Sequence, residues 1–122
     1  MSIITLPKAK KSFYAECHIA GRQYHDASEV WEQLKVGTKL HLVADPDNRY
    51  DKTAVAVCYL DPSNNEVTLL GYIPRTENSE IFNFLSMGWN DLFECRISKI
   101  STDCHYEHQL KVTISILRNQ NA

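Results

Sequence analysis

Six short segments of the chain have the residue spacing of β-strands, and this repetition constrains the fold more than any other feature. In the first segment, Phe13, Ala15 and Cys17 alternate with more polar neighbours, which is the period of a half-buried strand. The third segment is almost continuously apolar, as expected of a central strand. The predicted strands are residues 12–21, 38–44, 53–60, 67–73, 91–101 and 108–118.

Two segments between these strands have helical spacing. Residues 26–37 place Val30, Trp31 and Leu34 on one face, and residues 76–88 carry a similar apolar side. The candidate capping residues are Asp26 or Ser28 for the first helix and Thr76, Asn78 or Ser79 for the second. We therefore predict a mainly β (α+β) fold, a small twisted barrel or sandwich with two short helices against its ends or its open side.

The 122-residue length predicts a single domain at residues 12–118, with an N-terminal arm at 1–11 and a C-terminal tail at 119–122. The net charge of −2 argues against a broad nucleic-acid surface, which is usually basic, but it leaves room for a small pocket that grips a few phosphates. No apolar run is long enough to span a bilayer, so no membrane partner is predicted.

The cysteines indicate a reduced, cytoplasmic protein. Cys17, Cys58 and Cys95 lie in apolar strands, where a free thiol behaves as a small hydrophobic group. The stretch "CHYEH" groups Cys104 with two histidines, His105 and His108. Zinc uses such ligands, but a second pair of ligands is missing and a polar hairpin tip is the simpler interpretation. We therefore predict no metal and no cofactor.

Most signatures of catalysis are absent from the sequence, which contains no phosphate-binding loop, no zinc-protease motif and no nucleophile elbow. The crowded carboxylates Asp45, Asp47 and Asp51 suit a divalent ion, and nucleases use such clusters. Asp45 before Pro46 is better explained as the start of a turn. The chain is therefore predicted not to be an enzyme, with a zinc- or magnesium-dependent hydrolase acting on nucleic acid as the weaker alternative.

The turn "DPDNRYDK", residues 45–52, carries more chemistry than a connection between two strands requires. Its Asp-Pro start and Asn48 account for the turn itself. Tyr50, Asp51 and Lys52 are left over: a ring, a carboxylate and a cation. Asp51 either accepts hydrogen bonds from its own backbone or faces a ligand, and both can hold at once.

Aromatic residues lie close in sequence to basic residues at several strand ends. Arg22 precedes Tyr24, Tyr72 precedes Arg75, and Tyr106 lies in the last hairpin tip. Single-stranded nucleic acids are held in this way, because bases stack on exposed rings while nearby cations meet phosphates. The alternative is that these tyrosines only cover strand ends with their hydroxyls in water.

Three elements occur in the order found in one known family: "GRQY", then "DPDNRYDKTAV", then "GYIP". Together they resemble the HIRAN domain, which occurs alone in bacteria and also fused to SWI/SNF-type DNA helicases. The resemblance covers nearly the whole chain. It implies a modified OB-like, six-stranded β-barrel that binds single-stranded DNA and, as in the helicase member, recognises a free 3′-hydroxyl end.

The resemblance also implies roles for individual residues. Tyr24 and Tyr50 correspond to rings that stack on the terminal bases, and Asp51 to the acceptor of the hydrogen bond from the 3′-hydroxyl. Asn48 lies in the matching turn, and Arg75 corresponds to a basic residue that contacts phosphate. The remaining residues predicted at this DNA site are Tyr72, Tyr106, Arg22 and Lys52.

Residues and resemblance together predict a non-catalytic module for single-stranded DNA, with a preference for 3′-hydroxyl ends, in DNA repair or processing. The alternative is a protein-interaction module that recruits a DNA-processing enzyme such as a helicase or nuclease.

Overall fold

The computed structural model describes residues 9–21, 26–102 and 109–119. In this part of the chain, six β-strands and one α-helix follow one another in the predicted order. The strands are β1 (Lys11–His18), β2 (Lys39–Ala44), β3 (Val55–Leu60), β4 (Val67–Tyr72), β5 (Phe93–Ile100) and β6 (Leu110–Leu117), and the helix α1 (Ser79–Ser86) lies between β4 and β5. All six predicted strands are confirmed, with ends that differ by a few residues.

The strands form one antiparallel sheet in the order β1-β6-β5-β2-β3-β4. β2 connects its two halves, because it pairs with β3 from His41 to Ala44 but with β5 only at Lys39 and Leu40. Irregular pairing, of the kind that β-bulges cause, occurs in β1, β3 and β5. Such bulges bend a sheet and increase its twist.

The bent sheet brings its two edges together at one point. Just beyond β1, the Ala20 N–H donates to the Tyr72 carbonyl at 2.8 Å, and the Tyr72 N–H donates back to the Ala20 carbonyl at 2.9 Å. Among the described residues, this single pair is the only pairing between the two edges. The antiparallel sheet agrees with an OB-like fold, but the sheet is not closed and the predicted barrel is not confirmed.

The first predicted helix is wrong as a single element. Residues 26–37 contain two short 3₁₀-helices, Asp26–Glu29 and Trp31–Gln33, separated at Val30, whose φ of −119° and ψ of 10° are not helical. Leu34 is already extended and its side chain is buried in the core. Val30 is β-branched and therefore has a low helix propensity. Packing of the apolar residues in the core thus outweighs the helical spacing of this segment.

The second predicted helix is confirmed as α1. Ile81 and Leu85, four residues apart, are buried on one face, and the chain leaves the helix through Gly88 at φ 91°. Asn78, one of the three candidate capping residues, occupies the N-cap position, but its side chain makes no capping hydrogen bond. Below the helix, the core is filled from both halves of the sheet, including the fully buried Val57, Leu70, Ile97, Val112 and Ile114.

No helix in the described ranges is long and apolar enough to cross a membrane.

Candidate functional site

A cavity of about 630 Å³ opens where the two edges of the sheet meet. Its wall includes the backbone around the Ala20–Tyr72 pair and the turn that joins β2 to β3. Five of the nine residues predicted at the DNA site line this cavity: Asn48, Tyr50, Asp51, Tyr72 and Arg75. The other lining residues are Ala20, Gly21, Ala54 and Ile73.

Of the other four predicted residues, only Lys52 belongs to the part of the chain that the structure describes. Lys52 is exposed on the same turn, one residue beyond Asp51. Arg22, Tyr24 and Tyr106 lie outside the described residues, as do Cys104, His105 and His108 of the "CHYEH" stretch. Gly21, which directly precedes Arg22 in the chain, is itself part of the wall.

Asn48 builds the turn from inside. Its Oδ1 accepts the backbone N–H groups of Tyr50 at 2.9 Å and Asp51 at 3.0 Å, which is an Asx-type turn. Its Nδ2 donates to Asp45 Oδ2 at 3.3 Å. The side chain predicted to contact a ligand therefore first fixes the backbone that carries Tyr50 and Asp51.

Asp51 faces both its own backbone and the cavity. Its Oδ1 accepts the Thr53 N–H at 3.0 Å and the Thr53 hydroxyl at 3.1 Å, while Oδ2 accepts Asn78 Nδ2 at 2.7 Å. Burial opposes ionisation of this carboxyl, but the hydrogen bonds from Thr53 and Asn78 and the charge of Arg75 outweigh it and lower the pKa of Asp51 below its usual value. Asp51 is therefore a carboxylate at neutral pH.

Arg75 lines the cavity and contacts the β2–β3 turn. Its Nη2 donates to the Tyr50 carbonyl at 2.6 Å, and its Nε lies 3.7 Å from Asp51 Oδ2. The side chain is 70% exposed, so the guanidinium still presents charge to solvent. The same group thus stabilises the turn and supplies a cation at the rim.

The two tyrosines of the cavity differ in their surroundings. The Tyr50 side chain is among the most exposed large apolar groups, at 81%, and stands at the rim. Tyr72 is partly buried, and its hydroxyl donates to Asp45 Oδ2 at 3.1 Å. Burial and the nearby Asp45 carboxylate raise the pKa of Tyr72. Tyr50 is available as a stacking surface, whereas Tyr72 forms a wall.

Comparison with known families decides what kind of domain carries this cavity. Residues 12–118 match the HIRAN domain. The chain belongs to the HIRAN domain family. HIRAN domains are nucleic-acid-binding modules, and they bind rather than catalyse. No curated protein matches the sequence significantly.

A solved structure supports the fold of this HIRAN domain. A crystal structure of a structural genomics target protein from Lactobacillus plantarum matches with a TM-score of 0.71 and 20% sequence identity, over 89% of this chain and 97% of the other. At this identity, the likeness shows the shared fold alone.

One residue of the HIRAN cavity network was missed by the sequence reasoning. Asn78 is 1% exposed, and it joins Asp51 to Thr53, whose hydroxyl donates to Asn78 Oδ1 at 3.0 Å. The sequence placed Asn78 only as a possible helix cap. No local pattern reveals its other role, because the partner carboxylate is 27 residues away along the chain.

The carboxylates of the HIRAN turn do not form a metal centre. Within residues 9–21, 26–102 and 109–119, no group of three or more histidines, cysteines and carboxylates is placed to hold a metal ion. Asp45 and Asp51 instead accept hydrogen bonds from different partners, Tyr72 and Asn48 for the former and Thr53 and Asn78 for the latter. The described residues therefore do not bring Asp45, Asp47 and Asp51 together as a site for a divalent ion.

Proposed function

We propose that this HIRAN domain binds single-stranded DNA with a preference for 3′-hydroxyl ends and that it serves DNA repair or processing. The proposal rests on one observation: an exposed ring, an ionised carboxylate and an exposed guanidinium, those of Tyr50, Asp51 and Arg75, line one cavity. These groups suit the base, the terminal hydroxyl and the phosphate of a strand end, respectively.

The hydrogen bonds of Asp51 support the preference for a hydroxyl. A carboxylate offers about four acceptor positions. Within the described residues, Oδ1 accepts the Thr53 N–H and shares the single proton of the Thr53 hydroxyl with Asn78 Oδ1, and Oδ2 accepts Asn78 Nδ2. One position on Oδ2 is left for a donor from a ligand. A 3′-hydroxyl can donate there, whereas a 3′-phosphate brings negative charge against the carboxylate and is repelled.

The charges around the cavity favour one side for the nucleic-acid backbone. Beyond Pro74 lies a second groove of about 580 Å³, which also touches Ala20. Its lining includes Glu16 and Glu77, and its Lys111 pairs with Glu16 at 3.3 Å. Phosphates are disfavoured in that groove, so the strand is expected to leave the cavity on the side of Arg75 and Lys52.

The other residues predicted at the site keep their proposed roles. Tyr24 is proposed to stack on a terminal base, Arg22 to meet phosphate and Tyr106 to stack on a further base. Each awaits a separate test, for example alanine substitution combined with the binding assay below.

The test is a comparison of matched oligonucleotides. Fluorescently labelled single strands that end in a 3′-hydroxyl or a 3′-phosphate, and a circular single strand without ends, are titrated at several salt concentrations. We expect the tightest, salt-sensitive binding to the 3′-hydroxyl strand, and we expect Asp51→Asn to reduce the difference between the two ends. Equal binding to all three molecules would refute end recognition, and no binding to any would refute the function itself.

The alternative function is recruitment of a helicase or nuclease. It is favoured by the exposed apolar side chains of Phe84, Met87 and Trp89 at the end of α1. It predicts that a purified helicase or nuclease forms a stable complex with this chain in the absence of DNA, and that Met87→Lys abolishes the complex while oligonucleotide binding is unchanged.

A further inference from the structure

Asn78 has a buried polar side chain that connects the start of α1 to the β2–β3 turn. It directly precedes α1, where an asparagine usually accepts backbone N–H groups of the first turn. Here its side chain makes no such bond. Its Nδ2 donates to Asp51 Oδ2 at 2.7 Å, and its Oδ1 accepts the Thr53 hydroxyl at 3.0 Å. The helix start is therefore used to hold a carboxylate of the β2–β3 turn.

The Asn78 amide and the Arg75 guanidinium compete for the same oxygen, Asp51 Oδ2. Arg75 Nε lies 3.7 Å from the same Asp51 Oδ2, too far for a hydrogen bond, and its Nη2 donates to the Tyr50 carbonyl instead. Both oxygens of Asp51 already have donors: Thr53 for Oδ1 and Asn78 for Oδ2. Without the Asn78 amide, Oδ2 has a second open position directly beside a flexible, 70% exposed arginine.

A direct, charge-assisted bond between Arg75 and Asp51 would remove both groups from ligand binding. The bonded guanidinium would compete with a strand-end hydroxyl for Asp51 Oδ2, and its charge would be less available to a phosphate. We propose that Asn78 is a positioning residue that keeps the Arg75–Asp51 ion pair from tightening into a direct hydrogen bond, and that it thereby determines the specificity of the cavity for a hydroxyl-ended strand. This inference rests on the proposed function.

The first experiment measures specificity. The ratio of the Kd for 3′-phosphate strands to the Kd for 3′-hydroxyl strands is compared between the wild type and Asn78→Ala. We expect the ratio to fall by about tenfold or more, as for the loss of one hydrogen bond to a charged group. The matched control is Asn83→Ala, because Asn83 is exposed on α1 and lies outside the cavity.

A rescue separates positioning from simple destabilisation. If Arg75 captures Asp51 in Asn78→Ala, then the double variant Asn78→Ala, Arg75→Ala frees the carboxylate again. We expect the double variant to bind all strands more weakly but to regain part of the end preference. A merely structural role for Asn78 predicts no such recovery, and a double variant with the same ratio as Asn78→Ala would contradict the proposal.

Two measurements on the free protein do not depend on DNA. In a crystal structure of Asn78→Ala, the distance from Arg75 Nε to Asp51 Oδ2 should shorten from 3.7 Å to about 2.8 Å. In Asn78→Asp, two carboxyls meet at hydrogen-bond distance and share a proton, so one carboxyl carbon signal should titrate above the range of an ordinary aspartate, and the wild type and Asn83→Asp should show no such signal. The arginine near this pair keeps its charge throughout this titration.

The outcomes distinguish failure of the proposed function from failure of the role inferred for Asn78. A wild type without end preference refutes the proposed function, while the Asn78→Ala structure still decides the inference. An Arg75–Asp51 distance that stays near 3.7 Å, or an end preference that survives the substitution, overturns the inference alone. If Asn78→Ala does not fold, Asn78→Leu keeps the buried volume and removes the amide. The distance from Arg75 Nε to Asp51 Oδ2 and the ratio of the two Kd values are then measured on that variant, with the same criteria.

Discussion

Replacing Tyr50 with alanine gives the sharpest test of how the cavity holds a strand. The Tyr50 ring is 81% exposed at the rim, so its removal opens no void in the core. The backbone of this residue is held independently of the ring, by Asn48 Oδ1 at its N–H and by Arg75 at its carbonyl. Tyr50→Ala therefore removes a stacking surface and leaves the turn in place.

The expected magnitude follows from base stacking. A base on an aromatic ring contributes about 1–3 kcal/mol, so the Kd for a 3′-hydroxyl strand should rise by about 5- to 150-fold. The free energy of unfolding should change by less than about 0.5 kcal/mol, as for an exposed position without special contacts. Tyr50→Phe keeps the ring and should bind within about threefold of the wild type, since stacking does not need the hydroxyl.

Fluorescence anisotropy at fixed salt measures the Kd, and circular dichroism on heating verifies the fold. The matched control is Phe13→Ala, which removes another exposed ring, on β1, away from the cavity lining. A Kd for Tyr50→Ala within twofold of the wild type, in a variant that melts normally, would refute a stacking role for this ring. An equal loss in Phe13→Ala would show that the effect is not specific to the cavity.

Three further predictions concern charge and thiol chemistry. Because the folded-state pKa of Asp51 is lowered, its contribution to stability is present above the unfolded pKa of about 3.9 and is lost as pH falls through the lower folded value. The stability gap between wild type and Asp51→Asn, measured by urea unfolding, should therefore narrow from pH 5 to pH 2; a constant gap would contradict the cited hydrogen bonds. Arg75→Ala should reduce the slope of log Kd against log salt by about 0.7 for a single-stranded oligomer, and an unchanged slope would mean that Arg75 meets no phosphate. Burial raises the pKa of Cys17 and of Cys95 to about 12, so iodoacetamide at pH 8 should leave both unlabelled in the native protein and label both in urea, as read by peptide mass spectrometry; native labelling at the rate of a free thiol would argue against this burial.

The fold was predictable to the extent that it depends on short-range pattern. The alternation in β1 and the apolar run of β3 identify strands because a pleated strand exposes opposite faces in turn. The interruption at Val30 was not predictable, because burial of Leu34 in the core overrides the helical spacing of residues 26–37. The approach of the two sheet edges also depends on bulges and on long-range pairing such as Ala20 with Tyr72, which local spacing does not specify.

The sequence by itself determined the succession of six strands along the chain and the turn of residues 45–52, where Asn48 binds backbone groups two and three residues away. Only the tertiary structure decided what surrounds Asp51. Arg75 and Asn78 reach this carboxylate from the far side of β4, and Asn78 leaves its local role as a helix cap to do so. The physical reason is that a partly buried carboxylate needs donors wherever the folded chain supplies them: Thr53 supplies local ones, whereas Asn78 and Arg75 come from a distant segment that no local spacing connects to the turn.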